Sequence, residues 1–256
     1  MNGRRASSWR LPGLWEEVRG ARNLFEDSWD ITELPKPQSF KKGVIVVPGF
    51  FAPPKPYFAF GRFLNELDYG VIFPDFGGVN ALDRAAGVLA VQLAVQKAKK
   101  HFKSFFMIGH SLGGIQILRH APDPAVDGLI PIGSPLVYGT PWRLLSKLVL
   151  ACLTTRGVFR RSRAYFDLEE GIQETMLDDI VGAAKPYASK IYSVALVTDP
   201  IAPPTHAAFP GGHNIVIHPD SRRMLQGLAA RERGYWSHGG MVNLPKVREA
   251  VEDILT

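Results

Sequence analysis

The chain has 256 residues, of which 46% are hydrophobic and 21% charged, so it can bury a sizeable core and wholesale disorder is excluded. This length fits one α/β domain and does not require a second. The 25 glycines and 20 prolines, without a collagen-like period, indicate many tight turns and disfavour a plain helical bundle. The single cysteine, Cys152, excludes an intramolecular disulfide and a cysteine-based zinc site.

The formal net charge is +6, and basic residues cluster at the N-terminus, near residue 100 and near residue 160. Such clusters can bind nucleic acid or an anionic membrane surface, or they can be solvated surface charge. The sequence has no RNP, zinc-finger or helix-turn-helix signature, so we expect no nucleic-acid partner. It shows neither a secretory signal nor an apolar run that could span a bilayer, and we expect a cytoplasmic protein.

Residues 9–29 predict an amphipathic helix, because apolar and aromatic residues recur there at near-helical spacing between charged ones. With a short proline-containing linker, this helix forms an N-terminal segment over residues 1–36. Three interpretations stay open. The helix packs on its own domain, or lies in a membrane interface, as its tryptophans and arginines suggest, or binds a partner protein. The second interpretation predicts a peripheral membrane contact through this helix.

Short apolar runs alternate with helical segments over residues 37–256. The run Val44-Ile45-Val46-Val47 is continuously apolar and β-branched, which is typical of a parallel strand covered on both faces. The alternation predicts an α/β fold with a mostly parallel central sheet flanked by helices. The predicted strands are 44–47, 71–73, 105–108, 129–132, 191–197 and 214–218, and the predicted helices are 57–68, 82–100, 113–120 and 246–255.

Residues 135–189 interrupt this alternation. They contain an apolar helix at about 141–153, a cluster of arginines and an acidic helix around 167–182. We predict that this segment is a helical insertion on top of the sheet, where it can act as a lid.

The sequence Gly109-His110-Ser111-Leu112-Gly113 follows one of the strongest predicted strands and opens a helix. In that context the G-x-S-x-G pattern predicts a sharp turn that strains the serine backbone, and its glycines relieve the crowding. The serine hydroxyl then projects above the sheet edge, where the helix N-terminus favours developing negative charge. Ser111 is therefore the predicted nucleophile, and a glycine-rich turn without catalytic role is the alternative.

A serine hydroxyl needs a base, and the base needs an orienting acid; in this fold the chain order is Ser, Asp or Glu, then His. Asp199 follows the predicted strand 191–197 in a loop stiffened by prolines, so it is the predicted acid, with an ordinary Asx turn as the alternative. Asp178, Asp179 and Asp220 fit less well, because they lie on the predicted lid or past the last strand.

The base must follow the last strand, and His238 lies in a glycine-flanked turn just before the C-terminal helix. We therefore predict His238 as the base. His218 closes the last strand and precedes a proline, whereas His206 and His213 come before that strand. No H-E-x-x-H or comparable ligand spacing occurs, so we predict neither a metal nor another cofactor.

Two backbone N–H groups should form an oxyanion hole. One belongs to Leu112, the residue after the nucleophile. The other comes from the loop Pro48-Gly49-Phe50-Phe51 after the first central strand, where Phe50 is better placed than Phe51.

With these segments the chain resembles an α/β-hydrolase of the bacterial lipase/esterase type. It departs from many such lipases in having Pro48-Gly49 where they carry His-Gly, and in a long segment at 219–236. The resemblance implies Ser111 as nucleophile, Asp199 as acid and His238 as base, with Phe50 and Leu112 as oxyanion donors. It spans residues 43–255 and is carried by residues 44–51, 105–114, Gly133-Ser134-Pro135 with Gly139-Thr140, 199–203 and 237–240.

The leading hypothesis is hydrolysis of a carboxylic ester through an acyl-enzyme, with a small-molecule substrate. Apolar side chains of the predicted lid and of the oxyanion loop could line a pocket for an apolar acyl group, or they could be ordinary core residues. Acyl transfer, or cleavage of a thioester or amide, would use the same residues and differ in pocket shape and water access. A non-enzymatic protein that binds a membrane or partner through its N-terminal helix and arginines is the third alternative, and an intact triad argues against it.

Overall fold

The computed structural model describes residues 14–50, 52–78, 80, 84–137, 170–220 and 228–256. Within these ranges six strands form one sheet in the order β2-β1-β3-β4-β5-β6, and each neighbouring pair is parallel. The predicted α/β class with a parallel central sheet is confirmed. The strands are β1 Lys42–Val47, β2 Tyr69–Ile72, β3 Phe105–His110, β4 Val126–Ile132, β5 Tyr192–Leu196 and β6 His213–Ile217.

Helices cover the sheet and match the predicted helical segments except for two short ones. These two, Pro204–Ala207 and Ala230–Tyr235, lie in segments rich in proline or glycine, where no apolar period announces a helix. The described helices are α1 Leu14–Glu26, α2 Phe58–Glu66, α3 Arg84–His101, α4 Leu112–Leu118, α5 Glu170–Ala184, α6 Pro204–Ala207, α7 Ala230–Tyr235 and α8 Pro245–Leu255, with 3-10 turns at Pro37–Ser39, Lys55–Tyr57, Lys185–Lys190 and Met241–Asn243.

The sheet separates two hydrophobic cores. Val44 and Val46 of β1 point into a core that also contains Phe60 of α2 and Val247 of α8. Their neighbours along β1, Ile45 and Val47, point into the opposite core with residues of α3 and α4. Successive side chains of a strand face opposite sides of the sheet, so a strand with both faces covered must be apolar throughout.

The N-terminal helix α1 packs on its own domain, as in the first of the three interpretations. Its Leu24 is buried in the same core as Val44 and Val46, and its Asn23 Nδ2 donates to Arg231 O at 2.6 Å. The helix ends at Glu26, earlier than predicted. Ser28, two residues on, is bound to the segment before α2: its Oγ donates to Pro56 O at 2.7 Å and accepts from Ala59 N at 3.0 Å.

The outward face of α1 and the turn after it are apolar and exposed. Trp15 and Trp29 are 71% and 75% exposed, and Val18 and Phe25 also face outward. Peripheral membrane contact through this surface stays a prediction. Among the helices of the described ranges, none is both long and apolar enough to cross a bilayer.

The predicted insertion is described in part, at residues 135–137 and 170–189. Its acidic helix is α5, which packs against α4 and buries Leu177 and Ile180 in the core beneath that helix. The predicted apolar helix at 141–153 and the arginine cluster lie outside the described residues. A lid function of the insertion stays a prediction.

Candidate active site

The order of the strands along the sheet reverses between β1 and β3. From β1 the chain passes to β2 on one side, whereas β3 begins the run of strands on the other side. In open α/β sheets, ligands bind outside the carboxyl ends of the strands where the strand order reverses in this way. The loops that leave this point begin with Pro48 after β1 and with Ser111 after β3.

Ser111 occupies the turn between β3 and α4 with φ 54° and ψ −120°. Only Asp68 shares a positive φ among the non-glycine residues that the structure describes. Such a conformation costs on the order of 1–3 kcal/mol and persists where the surrounding structure enforces it. Here the Ser111 N–H donates to Ile132 O of β4 at 2.9 Å, which fixes the turn against the neighbouring strand.

The glycines of the turn let three segments of backbone approach one another. A Cβ atom at Gly113 would lie 2.2 Å from Val47 O, and one at Gly109 would lie 2.4 Å from Gly113 O. Real Cβ atoms do not approach that closely, so a side chain at either position would push α4 away from the sheet. The G-x-S-x-G pattern is thus a packing requirement of this turn.

Gly113→Ala is expected to lower the free energy of unfolding by about 1–3 kcal/mol, the usual cost of overpacking. Gly182→Ala is the matched control, because a Cβ at Gly182 in α5 would meet no described atom within 4 Å. Alanine also favours a helix over glycine by roughly 0.5–1 kcal/mol, so the control should be neutral or stabilising. Chemical denaturation of both variants measures the difference, and an equal effect would contradict this account of the turn.

Asp199, the predicted acid, follows β5 and is fully buried. Its Oδ1 accepts from the N–H groups of Ile201 and Ala202 at 2.8 and 3.0 Å, so the Asx-type turn and the predicted orienting role coexist. Its Oδ2 lies 2.7 Å from Nδ1 of His238. Burial alone would raise the pKa of Asp199, but the nearby imidazole and these hydrogen bonds outweigh burial and hold it below its usual value.

His238, the predicted base, lies in the turn at 236–240 between α7 and the C-terminal helix and is 6% exposed. Thr198 Oγ1, next to Asp199, donates to Trp236 O at 2.8 Å and ties this turn to the loop after β5. Burial opposes protonation of the imidazole, but the Asp199 carboxylate and, more weakly, Glu17 raise the pKa of His238 above its usual value. The acid and the base are therefore brought together as predicted.

Ser111 and His238 are linked through His110. The two histidine rings lie 4.9 Å apart, and His110 Nε2 lies 2.9 Å from the backbone oxygen of His238. Ser111 Oγ itself makes no hydrogen bond to a described residue. Hydrogen bonds of catalytic groups are often formed only when substrate is bound, and the proton transfer from Ser111 to His238 stays a prediction.

His110 was not singled out in the sequence, yet it joins three loops. Its Nε2 faces a carbonyl and must donate, so Nδ1 must accept, and the Tyr57 hydroxyl donates to it at 2.7 Å. The same hydroxyl accepts from Gly49 N at 2.9 Å. Burial lowers the pKa of His110 to about 3, which keeps the ring neutral. The position of His110 between Gly109 and Ser111 could have marked it as part of the site, but nothing in the local sequence indicated Tyr57 as its partner.

The predicted oxyanion donors belong to two segments that border Ser111. Leu112 begins α4, and backbone N–H groups in the first turn of a helix have no partner within the helix. Phe50 directly follows Gly49, and a Cβ at Gly49 would lie 3.3 Å from Ser111 Cβ, so this loop borders the serine. Phe51, the second choice, lies outside the described residues.

The less favoured acids and histidines lie elsewhere. Asp178 and Asp179 are exposed on α5, and Asp220 pairs with Lys246. His218 is exposed, and His213 starts β6 and stacks on Tyr192, whereas His206 lies in α6. In the ranges that the structure covers, no three His, Cys, Asp or Glu side chains gather as metal ligands would.

A parallel sheet with a serine in a strained strand-to-helix turn at its carboxyl edge is characteristic of hydrolases with an α/β fold. A profile of the alpha/beta hydrolase family matches residues 44–248. The chain belongs to the alpha/beta hydrolase family, which confirms the resemblance seen in the sequence. No curated protein matches the chain in a sequence comparison.

Solved structures of esterases and lipolytic enzymes are similar in fold. Est1E from Butyrivibrio proteoclasticus is 17% identical, with a TM-score of 0.56 over 84% of this chain and 87% of that one. A lipase-esterase related protein from Clostridium acetobutylicum is 15% identical, with a TM-score of 0.55 over 86% and 96%. A structure from the metagenome-derived lipolytic enzymes LipS and LipT is 14% identical, with a TM-score of 0.54 over 84% and 94%. At these identities the likeness shows the fold.

Proposed function

We propose that this protein is a serine esterase that hydrolyses a carboxylic ester of a small molecule through an acyl-enzyme. The observation that carries the proposal is the buried 2.7 Å contact between Asp199 Oδ2 and His238 Nδ1, on loops tied to the strained turn of Ser111. A buried ionised acid, an imidazole and an activated serine are the three parts that acyl transfer through a serine requires. The esterase and lipolytic neighbours support the same reaction class.

The tautomer of His238 decides its role. The Asp199 carboxylate accepts the Nδ1 hydrogen, so the other ring nitrogen, Nε2, carries a free lone pair when the ring is neutral. Nε2 takes the hydroxyl proton of Ser111 as Oγ attacks the ester carbonyl. The resulting imidazolium is stabilised by Asp199 and then gives its proton to the departing alcohol. Water repeats the sequence on the acyl-enzyme, which releases the carboxylic acid and restores the serine.

The negative oxygen of each tetrahedral intermediate would be bound by the backbone N–H groups of Leu112 and Phe50. The start of α4 adds the positive end of a helix dipole behind Ser111. Removal of one such donor typically costs about 10²–10³ in rate. Because these donors are backbone groups, side-chain substitution at Leu112 or Phe50 tests them poorly.

The substrate class is tested with p-nitrophenyl esters of increasing acyl length, from acetate to palmitate. We expect hydrolysis by the wild type, and preference for medium or long acyl groups would support an apolar acyl site. Added alcohol or thiol separates hydrolysis from transfer, because a transferase would form the corresponding ester or thioester. A folded wild type that hydrolyses none of these esters would contradict the proposed function.

A further inference from the structure

Helix α1 places a carboxylate against the turn that carries His238. Glu17 Oε1 accepts from the backbone N–H of His238 at 3.0 Å, and Oε2 accepts from that of Gly239 at 3.1 Å. The contact joins residues more than 200 positions apart in the chain. Both carboxylate oxygens are thus used on two successive backbone N–H groups of one turn.

The helix and the turn are also packed closely along their length. A Cβ at Gly239 would lie 3.0 Å from Ala21 N, and one at Gly20 would lie 1.9 Å from Ser237 Oγ. Only glycine at both positions allows the backbones to meet at this spacing. Glu17 is therefore held beside the turn by the packing of α1 and does not reach it as an exposed, mobile side chain.

A carboxylate is suited to this position for a chemical reason. Two successive backbone N–H groups present partial positive charge, and an ionised acceptor binds them more strongly than a neutral one. In the part of the chain that the structure describes, Glu17 has no lysine or arginine partner, so its charge is balanced by these N–H groups and by the imidazole. A half-buried carboxylate without such donors would be costly.

We propose that Glu17 is a positioning residue of the active site, which fixes the His238–Gly239 turn so that the N-terminal helix is a required part of the catalytic unit. This inference rests on the proposed serine-esterase function. It assigns a role to a helix that lies before the matched family region, which begins at residue 44.

The charge of Glu17 gives this role a signature in the pH profile. The ionisable groups that face Glu17 are His238 and Asp199, and His238 also faces His110. Burial raises the pKa of Glu17, whereas the N–H groups and His238 oppose that rise. Negative charge on Glu17 favours the imidazolium, so its removal should lower the pKa of His238. The base works when neutral, and the acidic limb of kcat/KM should then move to lower pH.

Glu17→Gln is the test, and Glu26→Gln is the matched control. Glu26 lies on the same helix, is exposed and pairs with Arg22. For Glu17→Gln we expect kcat to fall by about 10- to 100-fold, as for a misplaced catalytic group, with little change in KM. We also expect the acidic limb to shift to lower pH and the backbone N–H groups of His238 and Gly239 to exchange faster with solvent. The control should match the wild type in all three.

Two measurements keep the inference separate from the esterase proposal and from folding defects. NMR titration of the His238 ring and hydrogen exchange at residues 238 and 239 need no turnover. Unchanged ring titration and exchange in folded Glu17→Gln would overturn the role of Glu17, even in an active enzyme. If that variant does not fold, the wild type alone decides, since fast exchange of both N–H groups would contradict the proposed contact. If the wild type hydrolyses no ester but Glu17→Gln still changes the His238 ring titration and the N–H exchange, the esterase function is overturned and the role of Glu17 in the turn is not.

Discussion

Replacement of Ser111 by alanine is expected to reduce kcat for ester hydrolysis by about 10⁶-fold, because the nucleophile of an acyl-enzyme pathway has no substitute. KM should change little, since the hydroxyl contributes little to binding the ground state. The free energy of unfolding should stay the same or rise only slightly. The strain at φ 54° is imposed by the surrounding backbone and stays with alanine. Stopped assays with a p-nitrophenyl ester, and thermal unfolding of the same preparation, measure both quantities.

Ser134→Ala is the matched control. Ser134 is a fully buried serine that packs against Gly114 of α4, and its Oγ makes one long hydrogen bond, 3.4 Å, to Ile132 O. Its loss should leave kcat within a few-fold of the wild type. A Ser111→Ala enzyme that keeps a substantial share of the activity, or a Ser134→Ala enzyme that loses most of it, would contradict the assignment of the nucleophile.

Asp199→Asn is expected to reduce kcat by about 10⁴-fold, through the tautomer of His238. The oxygen that accepts from Ile201 N and Ala202 N must stay an acceptor, so the new amide NH₂ group takes the place of Oδ2. That group donates to His238 Nδ1, which must then be the unprotonated nitrogen. The proton moves to Nε2, where the ring can no longer accept hydrogen from Ser111.

The pH dependence and a second variant separate this effect from general damage. With the carboxylate removed, the imidazolium loses its main stabilising charge, so the apparent pKa of the base should fall. Asp220→Asn is the control, because Asp220 was one of the less favoured candidates for the acid and its partner is Lys246 on the surface. Equal losses in the two variants, or a small loss in Asp199→Asn, would contradict the predicted acid.

Local backbone requirements made most of the fold predictable from the sequence. The apolar run of β1 follows from burial of both strand faces. The glycines around Ser111 are required because a Cβ atom at Gly113 would lie only 2.2 Å from Val47 O. Asp199 and His238 could be chosen by chain order, because the carboxyl ends of parallel strands meet at one edge of a sheet. In the structure, His238 Nδ1 and Asp199 Oδ2 lie 2.7 Å apart.

The remaining contacts depend on tertiary packing that no local pattern encodes. Glu17 is one of several acidic residues on an amphipathic helix, and only the docking of α1 distinguishes it from Glu16 or Glu26. Tyr57 likewise contacts His110 from the 3-10 turn before α2, far from it in the sequence. The acidic helix of the insertion was predicted, but its burial partners were not: Leu177 and Ile180 belong to the same core as residues of α3 and α4.

Labelling of the folded protein with a fluorophosphonate probe, followed by peptide mapping, tests the central claim most directly. The probe reacts with a serine only when a neighbouring base activates the hydroxyl. We predict one modified residue, Ser111, and a labelling rate that falls sharply in His238→Ala. The variant Ser111→Ala should stay unlabelled, even at higher temperature or after longer incubation. An unlabelled wild type, or a label on any other residue, would show that this serine is not activated by the imidazole of His238.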